Sequence, residues 1–376
     1  MSLGFLEQEL SALEARGLLR TPPSAAPDWG LLDCSSNDYL GYGRDVSRET
    51  SLGAGASRLI HGTTSQHLEL EAELADWVRL PAALLFSSGY AANLGCLQAL
   101  ADSEDVVLSD ELNHASLIDG CRLSRARVVV LPHNSLEALE RALAQERGRR
   151  RWVVTESYYS MDGDGPDLSR LKRLTEEHGA HWLVDEAHAL GVFGPEGGGR
   201  CREAGVEPDV LVGTLGKSVA SSGAFVAGSQ ALRWFLWNRA RSLVFSTGTS
   251  PWLAEQTLPR VRAVRAADPL RARLQANAAR FVARLREAGL PLPADYLPGP
   301  IVPVVLGSAD AAQKLAQELV QAGYLAQPIR PPTVPDGTSR LRITLRPQLE
   351  GLALDRLAEL LIEGWKRWSS SAPGPR

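Results

Sequence analysis

Two short polar segments hold the residues of this chain that are best suited to chemistry. Lys217 ends the segment Thr214-Leu215-Gly216-Lys217, which follows an apolar run, and Asp185 ends another apolar run three residues before His188. A lysine amine on such a turn can bond covalently to the aldehyde of pyridoxal phosphate (PLP). An aspartate can hold the pyridine nitrogen of that cofactor protonated, so that the ring accepts electrons. The two segments together therefore indicate PLP chemistry.

Each of these residues also has a simpler interpretation. Most lysines are solvated surface residues, and an aspartate at the end of a strand often caps the next helix. The sequence Gly216-Lys217-Ser218 resembles the end of a nucleotide-binding P-loop. That motif requires glycine at the position of Leu211, so we exclude it. Taken alone, Asp185 and His188 are a weak signal for a cofactor site.

Further segments carry candidate cofactor contacts. Ser88, Gly89 and Tyr90 follow an apolar run and open a helix-length segment, where small residues let backbone N–H groups approach a phosphate. The alternative is an ordinary tight turn. Thr214 offers a hydroxyl to the same phosphate. His114 follows another apolar run and can stack on a cofactor ring or donate a proton, although a lone histidine is more often structural.

The apolar runs follow a rhythm that predicts the fold class. Segments of helix length separate most of them, and the runs are apolar throughout instead of alternating with polar residues. Such runs are typical of strands covered on both faces, so we predict an α/β fold with a mostly parallel seven-stranded sheet between helices. Ligands in such folds bind at the carboxyl ends of the strands, where the candidate residues fall. The predicted strands are Ala83–Phe86, Val106–Leu108, Val128–Leu131, Trp152–Thr155, Trp182–Asp185, Val210–Gly213 and Ala224–Val226.

The pattern changes after about Pro251, where we predict one long helix over 252–288. A proline-rich stretch follows, and then a strand at Ile301–Leu306, a helix near 310–322, a strand near Leu341–Leu345 and a last helix. We therefore divide the chain into an N-terminal helical segment (1–45), a large α/β domain (46–288), a small α+β domain (289–368) and a tail (369–376) predicted to be disordered.

Composition argues against several classes of function. A net charge of −4 disfavours binding to nucleic acid or to an anionic membrane surface. The sequence has no run of about 18 uncharged apolar residues, and its first residues lack a signal-peptide pattern. Cys34, Cys96, Cys121 and Cys201 are far apart and predict reduced thiols and no metal site, so we expect a cytoplasmic protein.

A series of motifs along the chain carries a family resemblance: Ser35-Ser36-Asn37-Asp38-Tyr39-Leu40-Gly41, Gly53-Ala54-Gly55-Ala56-Ser57-Arg58, Ser88-Gly89-Tyr90-Ala91-Ala92-Asn93, Asn113-His114-Ala115-Ser116, Ser160-Met161-Asp162-Gly163-Asp164, Asp185-Glu186-Ala187-His188 and Gly213-Thr214-Leu215-Gly216-Lys217. In order and spacing they resemble the α-oxoamine synthases, a family within the fold-type I PLP enzymes. The resemblance covers nearly the whole chain and implies a PLP-dependent acyltransferase. Two departures are small: Ala56 and Ala220 stand where many relatives have glycine.

The resemblance implies a role for each candidate cofactor contact. Lys217 would carry PLP and, once freed, remove the Cα proton of the amino acid, while Asp185 would bond the pyridine nitrogen. His114 would stack on the ring, and His188 and Ser160 would lie at its phenolic oxygen. The phosphate would be held by Ser88, Gly89, Tyr90, Thr214 and Thr247. The last of these would reach in from a second subunit, which implies a homodimer with shared active sites.

The resemblance also implies substrates. Arg342, with Asn37 nearby, would bind the carboxylate of the amino acid, because a planar guanidinium binds carboxylates through two bonds. The segment 329–335, which includes Thr333, resembles that of the biotin-pathway members, which condense L-alanine with pimeloyl-CoA or a pimeloyl-carrier protein. Arg20 would meet the distal pimeloyl carboxylate. The alternatives are a glycine C-acetyltransferase and a non-catalytic partner subunit, and the presence of Lys217 argues against the second.

Overall fold

The computed structural model describes residues 14–17, 32–33, 53–60, 62–293 and 295–369. This part of the chain forms two compact units. The larger unit falls within Asn37–Ser160 and Asp164–Ala272, and the smaller within Met1–Ser36, Met161–Gly163 and Arg273–Arg376. The domain boundaries drawn from the sequence stay a prediction. The predicted N-terminal helix and the predicted disordered tail lie almost entirely outside the described residues.

The strands and helices alternate along most of the chain. The strands are β1 Leu32–Asp33, β2 Ala82–Phe86, β3 Val106–Asp110, β4 Arg127–Leu131, β5 Arg151–Glu156, β6 His181–Asp185, β7 Val210–Thr214, β8 Ala224–Gly228, β9 Ile301–Gly307, β10 Tyr324–Leu325, β11 Gln327–Ile329 and β12 Ser339–Thr344. The helices are α1 Ser65–Val78, α2 Gly89–Leu100, α3 Ala115–Ser124, α4 Leu136–Gln145, α5 Leu168–Glu177, α6 Arg200–Ala204, α7 Gln230–Arg239, α8 Arg241–Val244, α9 Pro251–Arg265, α10 Asp268–Glu287, α11 Ala309–Gln321 and α12 Gly351–Trp368.

A seven-stranded sheet forms the centre of the larger unit, in the order β2-β8-β7-β6-β5-β3-β4. Neighbours from β7 through β4 pair in parallel, and β8 is antiparallel to both β2 and β7. The predicted α/β class and the mostly parallel sheet are therefore confirmed. The carboxyl ends of the six strands that run in one direction, all but β8, meet at one edge, which is where ligands bind in open α/β sheets.

Helices cover both faces of this sheet. On one face, Phe86 and Val154 belong to a buried cluster with residues of α2, α3, α7 and α8. On the other face, Leu85 and Val153 belong to a buried cluster with residues of α1, α4, α5 and α9. Successive strand residues point to opposite faces, so a strand buried on both sides must be apolar at every position.

Strand β4 departs from that rule. We expected the run Val128–Leu131 to be covered on both faces, but Val130 is 63% exposed and Val128 lies at the surface as well. The reason is position, because β4 is the edge strand of the sheet and pairs only with β3. An apolar run therefore predicted the strand correctly and its burial wrongly.

The smaller unit contains an antiparallel sheet in the order β11-β12-β9 and a short parallel pair, β1 with β10. Helices α11 and α12 pack against each other, and α11 packs on these strands. The strands predicted near 301–306 and 341–345 are present, as are the helices predicted near 310–322 and at the end of the chain. The short strands β10 and β11 were not predicted.

The single helix predicted over 252–288 is wrong, because the chain forms two helices there, α9 and α10. Pro269 has no backbone N–H with which to continue the α9 hydrogen-bond ladder. The buried side chain of Arg271 turns back and donates to the carbonyl oxygens of Val264 (2.5 Å) and Arg265 (2.9 Å). The bond to Arg265 satisfies one of the carbonyls that the end of a helix leaves without an intrahelical partner.

The helices in the described part of the chain are too short or too polar to span a lipid bilayer.

Candidate active site

Four acidic or hydroxyl residues stand where parallel strands of the large sheet end. Asp110 ends β3, Glu156 ends β5, Asp185 ends β6 and Thr214 ends β7. The register places Glu156 directly beside Asp185. This edge is where the sequence predicted the site, and the loops that follow the strands carry its remaining side chains.

Lys217 lies in a tight loop between β7 and β8, and it is half-buried. The loop is closed by backbone bonds from Leu215 N–H to the Gly223 carbonyl (2.9 Å) and from Ala220 N–H to the Lys217 carbonyl (2.8 Å). Ala220 has a φ of 53°, in the left-handed region that favours glycine. This explains why glycine suits the same position in many relatives.

Asp185 is buried and held by two donors. The side-chain amide of Asn93 donates to Oδ2 (2.7 Å), and the backbone N–H of Ala187 donates to Oδ1 (2.8 Å). The same Asn93 nitrogen lies 2.9 Å from the Ser116 hydroxyl. These contacts fix the carboxylate at the sheet edge. Sequence reasoning gave no role to Asn93 or Ser116, although both lie in motifs that it singled out.

His114 caps helix α3. Its Nδ1 accepts from the backbone N–H of Ser116 (3.2 Å) and lies 2.7 Å from the Ser116 hydroxyl. An accepting Nδ1 requires the neutral ring with its proton on Nε2. Burial lowers the pKa of His114; the Lys217 ammonium lowers it further, while the Asp185 carboxylate opposes the shift. His114 is therefore neutral at pH 7.

Glu156 is a buried carboxyl at the same sheet edge, and the sequence analysis gave it no role. Its Oε1 accepts from the backbone N–H of His114 (2.7 Å). Burial raises the pKa of Glu156 well above its usual range; the Asp185 carboxylate adds to this, and the Lys217 ammonium opposes it. Through this hydrogen bond, Glu156 holds the backbone of the loop that carries His114.

Ser88, Gly89 and Thr214 lie together at the start of helix α2. Ser88 caps the helix, because its hydroxyl accepts from the backbone N–H of Ala91 (3.1 Å). A side chain on Gly89 would put its Cβ only 2.6 Å from Cγ2 of Thr214. Only glycine fits there, which leaves backbone N–H groups of the helix open to a phosphate. This arrangement fits PLP, whose phosphate suits a helix N-terminus.

The geometry gives weaker support to the phosphate contacts predicted for Tyr90 and Thr247. The Tyr90 hydroxyl donates to Asp119, and its ring stands edge-on to His114 with the centroids 6.5 Å apart. Because this hydroxyl is engaged, a phosphate contact from Tyr90 would have to come from its backbone N–H. Thr247 is exposed and bridges to Ser57, so its hydroxyl is available to a molecule outside the larger unit.

The structure describes four of the other predicted site residues and leaves two outside the described ranges. His188 is buried on the loop after β6, and Ser160 follows the buried Tyr159 in the loop after β5. Arg342 lies on β12, and Thr333 lies on the loop between β11 and β12, both in the smaller unit. The predicted ligands Arg20 and Asn37 lie outside the described residues.

Arg340, two residues before Arg342, is already engaged. It donates to the Asp162 carboxylate and to the carbonyl of Met161 (3.1 Å). A buried arginine held in this way is a poor candidate for a substrate carboxylate. Within the described ranges, no group of three or more His, Cys, Asp and Glu side chains is placed to hold a metal ion.

Comparison with known proteins supports the assignment of this site to PLP chemistry. Residues 30–361 match the family Aminotransferase class I and II. The chain is 43% identical to 8-amino-7-oxononanoate synthase of Alkalilimnicola ehrlichii, over 91% of this chain and 92% of that protein. Serine palmitoyltransferase of Sphingomonas wittichii superposes with a TM-score of 0.87 at 31% identity, over 96% of each chain. An SPT structure that carries PLP gives the same TM-score at 29% identity, over 96% of this chain and 97% of that one.

The fold and the site thus define a PLP-dependent enzyme of the aminotransferase class I and II family, to which the chain belongs. Within that family the chain belongs to the 8-amino-7-oxononanoate synthases, which are acyltransferases.

Proposed function

We propose that this enzyme condenses L-alanine with a pimeloyl thioester, giving 8-amino-7-oxononanoate, CO2 and the free thiol, as a step of biotin synthesis. The observation that carries the proposal is the placement of Asp185 at the end of β6, Lys217 on the loop after β7 and His114 on the loop after β3, all at one edge of the sheet. The names of the relatives supply the product, 8-amino-7-oxononanoate. The thioester is carried by CoA or by a carrier protein.

The residues of the larger unit have distinct proposed roles. PLP, when bound, supplies an electron sink for the charge that develops at the alanine Cα. The Lys217 amine takes the Cα proton, and Asp185 keeps the pyridine nitrogen protonated. Neutral His114 packs on the ring, where its Nε2–H is available as a proton donor. His188 and Ser160 bond the phenolic oxygen, and the start of helix α2 with Thr214 binds the phosphate.

We also propose a cytoplasmic homodimer with shared active sites. The exposure of Thr247 supports the dimer, because a phosphate contact from that hydroxyl would have to be made to the site of a second subunit. Phe245, two residues earlier, is 72% exposed, and a large apolar side chain of this kind is common at subunit contacts. Buried, unpaired thiols at Cys96, Cys121 and Cys201 support a reducing compartment.

Replacing Arg342 with alanine should mainly weaken the binding of L-alanine. A hydrogen bond to a charged group contributes roughly 1.5–3 kcal/mol, so the KM for alanine should rise about ten-fold or more while kcat changes less. Steady-state kinetics at saturating pimeloyl-CoA measure this. Arg346→Ala, a change in the same unit beyond the end of β12, is the matched control. An unchanged KM in Arg342→Ala would move the carboxylate site elsewhere.

The choice of substrates is tested by parallel turnover of two pairs: L-alanine with pimeloyl-CoA, and glycine with acetyl-CoA. A pocket fitted to one methyl group discriminates only about 10- to 200-fold, so glycine should react slowly but measurably in place of alanine. The acyl side should discriminate more, because a shorter acyl chain leaves the partner of the distal carboxylate unpaired. If acetyl-CoA matches pimeloyl-CoA as a donor, the enzyme is a glycine C-acetyltransferase instead.

A further inference from the structure

His133 is a largely buried histidine that has no role in the proposed catalysis. It lies between two carboxylates, Asp110 and Asp164. The Nδ1 of His133 is 2.9 Å from Oδ1 of Asp110, and its Nε2 is 3.2 Å from both carboxylate oxygens of Asp164. The side chains of all three residues are largely buried. Residues on three different segments of the larger unit therefore meet at one imidazole ring.

Both ring nitrogens must donate in this arrangement. A neutral imidazole carries one N–H, so one carboxylate would face a ring lone pair, which is repulsive in a buried site. Burial alone lowers the pKa of His133, but its hydrogen bonds to the Asp110 and Asp164 carboxylates outweigh burial and raise the pKa to about 10. His133 is consequently an imidazolium at neutral pH, between two buried negative charges.

The side-chain amide of Asn134 also faces this ring. Its nitrogen lies 3.1 Å from Nε2 of His133, and its buried oxygen has no hydrogen-bond partner. Rotating the amide by a half turn places the oxygen next to the protonated Nε2 and satisfies both groups. Glu111 accepts from the backbone N–H of His133 (3.0 Å), so the surroundings of the ring are acidic.

Each carboxylate bonded by His133 belongs to a loop that carries a proposed cofactor contact. Asp110 also accepts from the backbone N–H of Leu112 (2.8 Å), in the turn that leads to His114. The carbonyl of Asp164 accepts from Tyr159 N–H (2.9 Å), which closes the loop that carries Ser160.

The ring of Tyr159 joins the two loops from the side. It packs edge-on against His133, with the centroids 4.5 Å apart. Its hydroxyl lies 3.4 Å from the side-chain oxygen of Asn113, the residue before His114. The imidazole ring is thus the common contact of the His114 loop and the Ser160 loop.

We propose that His133 is a positioning residue of this enzyme: as a doubly protonated ring, it holds the His114 loop and the Ser160 loop in one fixed arrangement around the PLP ring. This inference rests on the proposed function, since it takes His114 and Ser160 as cofactor contacts. His133 itself touches neither substrate nor cofactor in this role.

The first test needs no cofactor. Full-length protein without PLP is labelled with nitrogen-15 in its histidines, and NMR reports the protonation of each ring nitrogen, with the His133 signals assigned by their loss in His133→Asn. Both nitrogens of His133 should carry protons at pH 8. A His133 ring with one unprotonated nitrogen at pH 8 would overturn the proposal.

The second test measures PLP directly in the His133→Asn variant. The dissociation constant for PLP should rise about ten-fold or more, and the visible circular dichroism of bound PLP should fall, because the two loops no longer hold the ring in one orientation. The matched control is His181→Asn, which removes a half-buried histidine 3.7 Å from Asp209 at the other end of β6. The control should match the wild type within about two-fold.

The outcomes distinguish the positioning role of His133 from the proposed function of the enzyme. If the wild type binds PLP and His133→Asn binds it equally well with the same dichroism, the positioning role is wrong while the proposed function stands. A wild type that binds no PLP overturns the proposed function and this role with it. If His133→Asn fails to fold, Asp164→Asn replaces it, since it keeps the side-chain shape; it should lower the pKa of His133 and reduce the dichroism.

Discussion

Replacing Lys217 with alanine should abolish turnover, leaving less than about a hundredth of the wild-type rate. The change removes both the covalent attachment of PLP and the base that takes the Cα proton, and general base catalysis alone supplies roughly 10²–10⁴-fold. Product formation from L-alanine and pimeloyl-CoA measures the loss. The loop should survive the change, because its closing bonds are made by the backbone at Lys217, Leu215 and Gly223.

A matched control for this variant is Lys314→Ala. Lys314 lies on α11 of the smaller unit and pairs with Asp310 at the surface. Its replacement should leave the rate unchanged. If Lys217→Ala kept more than about a hundredth of the activity, with Lys314→Ala as the reference, the catalytic assignment of Lys217 would be wrong.

Replacing Asp185 with asparagine should lower the rate by about 100-fold or more while PLP still binds, the scale at which loss of one preorganised electrostatic contact slows an enzyme. Asparagine keeps an oxygen that can accept from Asn93 or Ala187, so the local fold should survive. It lacks the negative charge that stabilises a protonated pyridine nitrogen. The visible spectrum measures PLP binding, and the product assay measures the rate.

Asp209→Asn tests whether any loss is specific to that carboxylate. Asp209 accepts from the backbone N–H of Trp182 (2.8 Å), near the start of β6, the strand that Asp185 ends. Its replacement should leave the catalytic rate close to wild type. A near-normal rate in Asp185→Asn would mean that Asp185 only caps the following turn.

Local sequence pattern predicted the strands and the main catalytic candidates because both depend on local features. A strand buried on two faces must be apolar throughout, and Asp185 and Lys217 stand out as polar residues that follow such strands. Residues that act through distant contacts give no such signal. Asn93 supports Asp185 and Glu156 supports His114 from other segments, and only the assembled sheet brings them together.

The two wrong predictions, the burial of β4 and the single helix over 252–288, also depended on contacts that local sequence does not reveal. Hydrophobicity could not distinguish the edge strand β4 from central strands, because edge position depends on the order of strands in space. The break between α9 and α10 depends on Pro269 and on the Arg271 side chain, which turns back to bond the end of α9. No local sequence pattern predicts the contact made by Arg271. The roles of Arg20 and Asn37 stay predictions.

The central claim is a condensation that loses the carboxyl carbon of alanine. The most direct measurement uses L-alanine labelled isotopically, in one reaction at the carboxyl carbon and in a parallel reaction at the methyl carbon, each with pimeloyl-CoA and PLP. The account predicts that the carboxyl label leaves as CO2 only when pimeloyl-CoA is present, and that the methyl label is recovered in 8-amino-7-oxononanoate. Retention of the carboxyl label in the product, or release of CO2 that does not depend on the acyl donor, would contradict it.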